Sequence, residues 1–378
     1  MKKEILILMM LTIFLISCQK ITEIRSAANG AAKGPVVEQP RPAKTPANFS
    51  KAMDLEDARI YSVAVTDINK DGFDDVAAGI FGSYSDLFIN NKDGTFTRSP
   101  LTNKKYNTEE IVFIDIDKDN NKDIILGNNQ QPIVLLRNNG DGTFSLLKEL
   151  DKTIVNEIAV ADFDKDGYED FVIGTQFKEN YVYFNDGKNG FEKTKLPGMI
   201  SDLPVKTVKA ADMNNDGKID IVFGMDRKQG KVYLNEGERN FVLNTELPGE
   251  PHTYSIALFD SDKDGKIDIL QGNNKEQNVL FLNKVVGYEK TPINGEGNTY
   301  SVLAADFNND NNEEVVVGDY EVNIKIYEKS ESEYVLLKEI ETPERDFVRD
   351  LEAGDFDNDG YLDLVVAREK GMSHIYLS

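Results

Sequence analysis

The sequence predicts an all-β protein: a seven-bladed β-propeller with four antiparallel strands per blade, its ring closed by an N-terminal strand that completes the last blade. Three observations carry this expectation. An acidic nine-residue loop recurs seven times at near-constant spacing. Short β-rich runs flank every copy. The last repeat ends one strand short, and a strand of the missing kind stands before the first repeat.

The loop at Asp162-Phe-Asp-Lys-Asp-Gly-Tyr-Glu-Asp170 serves as the template. Its copies begin at Asp67, Asp115, Asp162, Asp212, Asp260, Asp306 and Asp355, so successive starts lie 48, 47, 50, 48, 46 and 49 residues apart. Position 3 is Asn69, Asp117, Asp164, Asn214, Asp262, Asn308 and Asp357. Position 5 is Asp71, Asp119, Asp166, Asp216, Asp264, Asp310 and Asp359. Position 9 is Asp75, Asp123, Asp170, Asp220, Asp268, Glu314 and Asp363. Position 6 is glycine except at Asn120 and Asn311, and asparagine tolerates left-handed backbone better than most residues.

Oxygen side chains at alternate positions around a sharp turn are how a short loop wraps a hard cation, and the oxygen-only set suits Ca²⁺ rather than Zn²⁺ or copper. Up to seven ions are expected, with the position 7 carbonyl as a further ligand. An EF-hand would need a glutamate at position 12 and flanking helices. Position 12 is instead Ala78, Leu126, Ile173, Phe223, Gln271, Val317 and Val366, between strands. A catalytic carboxylate pair is disfavoured because the motif repeats in every unit, so no catalytic residue is assigned to the loops. Solvated acidic turns without metal remain the simplest rival. At ten times its dissociation constant an ion adds about 1.4 kcal/mol per site, roughly 10 kcal/mol for seven independent sites. That rivals the whole stability of a domain, so the ions are expected to be structural.

Within the template repeat, Ile158–Ala161 runs into the loop, Phe171–Gly174 leaves it, Tyr181–Phe184 follows, and Gly190–Thr194 completes the unit after an Asn-Asp-Gly turn. No run has a helical period. A linear β-solenoid is the competing repeat fold, but it uses shorter coils and dedicated caps. Aromatic residues mark the fourth strand at Phe49, Phe96, Phe144, Phe191, Phe241, Tyr288 and Tyr334, whereas the chain stops after the third strand of the last repeat. Phe49 therefore belongs to the last blade, and this pairing would close the ring and remove free sheet edges.

Composition narrows the function. The formal net charge of −23 originates in the loops, whose four ligand positions hold 25 carboxylates, and it argues against a nucleic-acid partner. Two histidines, His252 and His374, leave little for imidazole catalysis. The single cysteine excludes an intrachain disulfide. Cys18 follows Lys2-Lys3 and an apolar run from Ile5 to Ile16, too short to span a bilayer but suited to a secretory signal. Leu15-Ile16-Ser17-Cys18 resembles a bacterial lipobox, which implies lipidation of Cys18 and a bacterial cell-envelope location, at the outer membrane or cell surface. The expected organisation is a signal peptide at 1–17, a Pro- and Ala-rich tether at 18–46, and the propeller at 47–378.

The loops, in blades of this length, resemble the FG-GAP and VCBS repeats, including the integrin α-chain propeller, although the Phe-Gly and Gly-Ala-Pro signatures are poorly matched. The resemblance implies calcium between the first and second strands and roles in adhesion, glycan binding or polysaccharide cleavage. Strand alternation puts the calcium loops on one face and the second-to-third and fourth-to-first connections on the other. Those connections hold the candidates for contact with a ligand: Tyr84, Phe177, Arg227, His252, Tyr254, Tyr300, Arg345, Arg349 and Arg368. The expected function is a membrane-anchored binding propeller that captures a glycan or protein partner. The alternatives are a calcium-dependent polysaccharide lyase, for which His252 or a Tyr–Arg cluster would supply the acid–base group, and a scaffold subunit of an envelope complex.

Overall fold

The computed structural model of the protein describes residues 49–176, 179–199, 204–320, 323–331, 333–341 and 347–378, and among these there is no helix. The expected signal peptide and tether, with Cys18, lie outside them. The chain runs β1 (Ser50–Asp57), β2 (Ile60–Thr66), β3 (Asp75–Ser83), β4 (Asp86–Asn90), β5 (Phe96–Pro100), β6 (Tyr106–Ile114), β7 (Asp123–Asn138) and β8 (Phe144–Ala161). It continues through β9 (Asp170–Thr175), β10 (Tyr181–Asn185), β11 (Phe191–Lys195), β12 (Val205–Ala211), β13 (Asp220–Met225), β14 (Lys231–Gly237), β15 (Asn240–Glu246) and β16 (Thr253–Phe259). The last third holds β17 (Asp268–Asn283), β18 (Tyr288–Ala305), β19 (Glu314–Asp319), β20 (Asn323–Ser330), β21 (Glu333–Glu341), β22 (Val348–Gly354), β23 (Asp363–Arg368) and β24 (Met372–Leu377).

Every ladder between these strands is antiparallel, and each acidic loop joins a first strand to a second, for example β12 to β13. The second strand is buried along its whole length, as in β9, β13, β19 and β23, because sheets pack on both of its faces; hence its continuous apolar run. The outer strand β5 is intermediate or exposed throughout. One expectation is modified. Instead of four separate strands, β7 and β17 each contain a second and a third strand, and β8 and β18 each join a fourth strand to the next first strand. The connecting segments remain extended and pair with each other, Gln131 opposite Thr153 and Glu276 opposite Gly297.

The hydrophobic core lies between neighbouring repeats rather than inside any one of them. One cluster combines Phe163, Val172 and Phe184 with Ile221, Phe223 and Tyr233 of the following repeat. The aromatic markers of the fourth strand are part of this packing. Each reaches loop position 2 of the preceding repeat, as Phe241 does on Phe163 at 5.8 Å between centroids and Phe96 on Phe356 at 6.1 Å. Asparagines at the end of the third strand add polar pins: Asn185 donates to the Ile116 carbonyl at 2.8 Å, Asn235 to Phe163 at 2.7 Å and Asn90 to Phe356 at 2.8 Å. A glycine in the second strand makes room for the next inner strand. A Cβ on Gly318 would come within 2.4 Å of Val348 Cγ1.

The same devices join β1 to the last repeat. β1 pairs antiparallel with β24, Lys51 opposite Tyr376 and Met53 opposite Ile375, in a sheet ordered β1-β24-β23-β22. Phe49 is buried against Phe307 at 5.1 Å between centroids, and Lys338 Nζ donates to the Phe49 carbonyl at 2.7 Å. First and last repeats share a core of Ile60, Val76, Phe88, Phe356, Val365 and Ile375. The innermost strands touch in sequence: β2 lies against β6, β6 against β8, β8 against β12, β12 against β16, β16 against β18, β18 against β22, and β22 against β2.

Candidate functional site

The acidic loops share one backbone geometry. In the first, the Asp71 amide donates to Asp67 Oδ1 at 2.9 Å and Asn69 Oδ1 at 3.0 Å, Gly72 to Asp67 Oδ2 at 2.7 Å, and Phe73 to Asp71 Oδ1 at 3.1 Å. Position 6 has positive φ everywhere, 80° to 92° at its glycines and 64° and 69° at Asn120 and Asn311. Position 4 also lies in the left-handed region, at Lys70, Lys118, Lys165, Asn215, Lys263, Asn309 and Asn358, with φ of 56° to 61°. Side chains enter that region rarely, and the inward amide bonds hold them there. The three asparagines at position 4 carry a left-handed signature, but the four lysines do not, so the position does not stand out in the sequence.

Position 9 does more than offer a ligand. Asp170 accepts from the Phe163 amide at 2.9 Å with one oxygen and from the Asn185 amide at 2.8 Å with the other, and Asp75, Asp123, Asp220, Asp268 and Asp363 repeat the pattern. Glu314 accepts from the Phe307 amide at 2.9 Å. Burial is the main force on these carboxyls and pushes Asp75, Asp123, Asp220 and Asp268 up to about 6, and Asp170, Glu314 and Asp363 up to about 7.

The donor set fits calcium. In the four loops whose position 3 is aspartate, carboxylate oxygens gather within 4.8 Å of one another: Asp115, Asp117 and Asp119; Asp162, Asp164 and Asp170; Asp260, Asp262 and Asp268; Asp355, Asp357 and Asp359. Buried Oδ1 atoms of Asp115, Asp117 and Asp162 have no hydrogen-bond partner among the described residues. Orphaned, inward carboxylate oxygens in an all-oxygen cage are what a hard divalent cation satisfies.

At the opposite ends of the inner strands lies a cavity of about 240 Å³ to which all seven of those strands contribute. Counting back six residues from each first loop aspartate gives Tyr61, Glu109, Asn156, Lys206, Tyr254, Tyr300 and Arg349, and every one of them lines it. Three ligand-face candidates, Tyr254, Tyr300 and Arg349, thus come together. Tyr254 and Tyr300 lie 4.7 Å apart between centroids, and Tyr300 stacks on Tyr320 at 5.6 Å. The Arg349 guanidinium sits 3.7 Å from the Tyr61 ring centroid and 3.5 Å from Glu109.

The other candidates scatter. His252 Nδ1 is 2.8 Å from Asp226 Oδ1, with the exposed Arg227 beside them, and none of the three lines the cavity. Tyr84 belongs to a separate groove with Leu101, Tyr106 and Leu146. Arg368 corrects the expectation of an exposed ligand-face residue: it is 3% exposed, at the buried end of β23. Phe177 and Arg345 fall outside the described residues.

Below the rim, Glu110, Glu157, Lys209, Asp350 and Glu352 line the passage between the inner strands. Lys209 Nζ is 2.6 Å from Glu157 Oε1, and the Val63 amide donates to Asp350 Oδ2 at 2.9 Å. Four carboxylates thus share one ammonium. Burial first, then the neighbouring Asp350, pushes Glu352 up to about 8; burial raises Asp350 to about 6 and raises Glu110 as well. The fold therefore retains protons that the unfolded chain releases near pH 4.5, and stability falls as pH rises from there toward 8. At saturating calcium, Glu352→Gln is expected to flatten this slope and to melt higher than the parent at pH 8.5. Parallel melting curves across the range would contradict it.

The FG-GAP-like repeat family matches residues 67–126, 115–173, 162–223, 212–271, 262–317 and 306–366. No curated protein matches the sequence. Among solved structures, BBS1N in a complex with ARL6DN, soaked with mercury, superposes with a TM-score of 0.61 at 12% identity, covering 88% of this chain and 97% of that one. Raptor of Chaetomium thermophilum gives 0.62 at 10% identity, covering 88% of this chain and 29% of its own. Both neighbours are β-propellers, and at such identity the likeness concerns the fold alone. Six consecutive matches over most of the chain settle the family: this protein belongs to the FG-GAP-like repeat proteins.

Proposed function

We propose that the protein is a calcium-stabilised, seven-bladed binding propeller, closed by β1, held at a bacterial envelope membrane through lipidated Cys18, and that it captures a glycan or protein partner at the rim of its central cavity. The observation that carries this reading is the convergence of Tyr61, Tyr254, Tyr300, Lys206 and Arg349, from five different inner strands, on one cavity remote from the acidic loops. Aromatic and cationic side chains on a rigid scaffold are the usual makings of a recognition surface. The pairing of β1 with β24 and the cyclic contacts of the inner strands support closure, while the orphaned loop oxygens support the metal. The complex of BBS1N with ARL6DN is a precedent for a propeller with a protein partner.

A binding screen of calcium-loaded protein against glycans and purified envelope proteins tests the role. The Tyr254→Ala/Tyr300→Ala double variant is expected to lose ligands that the parent retains, with its melting temperature little changed. A ligand bound equally by both proteins would place recognition elsewhere.

A further inference from the structure

The chemistry of the cavity narrows the ligand. Lys206 is half-buried on β12, its ammonium 5.1 Å from the Tyr254 ring centroid. Among the described residues its side chain forms no ion pair or hydrogen bond; Asp226 and Glu109 act on it only through their fields. Desolvation depresses its pKa, and an anion beside it would stabilise the charged form by giving the ammonium a partner. Arg349 differs, being shared between Glu109 at 3.5 Å and Glu369 at 3.8 Å. Glu109 is itself held by Asn129 Nδ2 at 2.7 Å.

Around Lys206 the lining changes character. Tyr254 and Tyr300 line the cavity half-buried, Tyr300 with one side stacked on Tyr320, whereas Asn156 through Oδ1, Gln176 and Ser255 offer amide and hydroxyl groups; Asn156 Nδ2 donates to the Val205 carbonyl. Ser255 Oγ accepts from the Val302 amide at 3.1 Å, which leaves its own proton for another acceptor. Among the described residues the passage below offers no second free cation, since its one ammonium, Lys209, is already paired with Glu157 at 2.6 Å among Glu110, Asp350 and Glu352. A carboxylate is therefore kept at the rim, beside Lys206. A ligand that satisfies all of these features has one anionic group, a flat C–H face and several hydroxyls.

We propose that the cavity binds a uronate residue of an acidic oligosaccharide, its carboxylate against Lys206 and its ring on Tyr254 and Tyr300; this rests on the binding role proposed above. The hydroxyls meet Asn156, Gln176 and Ser255. An acidic peptide could meet the ammonium but would leave Asn156 Oδ1, the Gln176 amide and the Ser255 hydroxyl proton to water, where a sugar offers them hydroxyls.

The test is calorimetric titration of the full-length, calcium-loaded protein with trigalacturonate and with a neutral trisaccharide of the same length. Trigalacturonate is expected to bind at least tenfold more tightly than the neutral sugar. Lys206→Gln is expected to erase that preference, Lys206→Arg to restore most of it, and both to melt like the parent. Added salt is expected to weaken only the uronate interaction. Equal affinity for the two sugars, or uronate binding unchanged in Lys206→Gln, would overturn the proposal. So would binding of a glutamate-rich peptide, sensitive to Lys206→Gln, without any uronate binding; that outcome would leave the broader binding role standing. Loss of every ligand, including those that depend on Tyr254 and Tyr300, would remove both.

Discussion

Chelation of calcium is expected to lower the melting temperature by on the order of 10 °C. The reasoning is additive. Each ion at ten times its dissociation constant contributes about 1.4 kcal/mol, and four to seven sites contribute roughly 6 to 10 kcal/mol. Divided by the unfolding entropy of a body this size, that amounts to a shift on the order of 10 °C. The loops give the reason for the sign. Without an ion, Asp162, Asp164 and Asp170 keep carboxylate oxygens within 4.8 Å of each other, and Asp162 Oδ1 is buried without a partner. Burial raises the pKa of Asp162 accordingly. A scan in calcium and in EDTA decides the matter, and an unchanged midpoint would make the loops solvated acidic turns. Asp162→Asn/Asp164→Asn should reproduce a fraction of the loss, because it empties one site of several.

Removal of β1 should be at least as damaging. A chain starting at Ala58, compared with one starting at Ala47, is expected to unfold or aggregate. Phe49→Ala alone should cost about 3–5 kcal/mol, the usual range for deleting a buried aromatic ring. β1 supplies the outer neighbour of β24 and caps a cluster containing Phe307, Val316 and Tyr376. Without it, β24 presents a free edge and Phe307 loses its ring contact. Urea unfolding of both chains measures the effect; equal midpoints would mean that β1 is an accessory strand rather than the closure of the ring.

Much of this architecture was legible because it is periodic. The loop spacing, glycine or asparagine at position 6, the fourth-strand aromatics and the homeless strand at Phe49 are all local marks of a repeating unit, and the described strands and the β1–β24 ladder follow them. The purpose of those marks was less visible. Phe241 reads as a strand aromatic, but its place against Phe163 depends on how two repeats pack. Position 9 reads as a ligand, and only the folded chain shows both oxygens of Asp170 accepting backbone amides.

The sequence by itself determined the repeating unit, an acidic turn between β-strands, and the spacing at which that turn recurs. Periodicity is a property of the chain alone, and local backbone chemistry repeats wherever the residues do. The tertiary structure decided which residues of different units meet. Lys206, Tyr254 and Tyr300 are separated by about one repeat each and share a cavity only because the inner strands converge in register. Arg368 lies in an equally suggestive segment yet is buried, since its strand is packed on both faces. Convergence and burial are set by packing between repeats, and no single repeat encodes them.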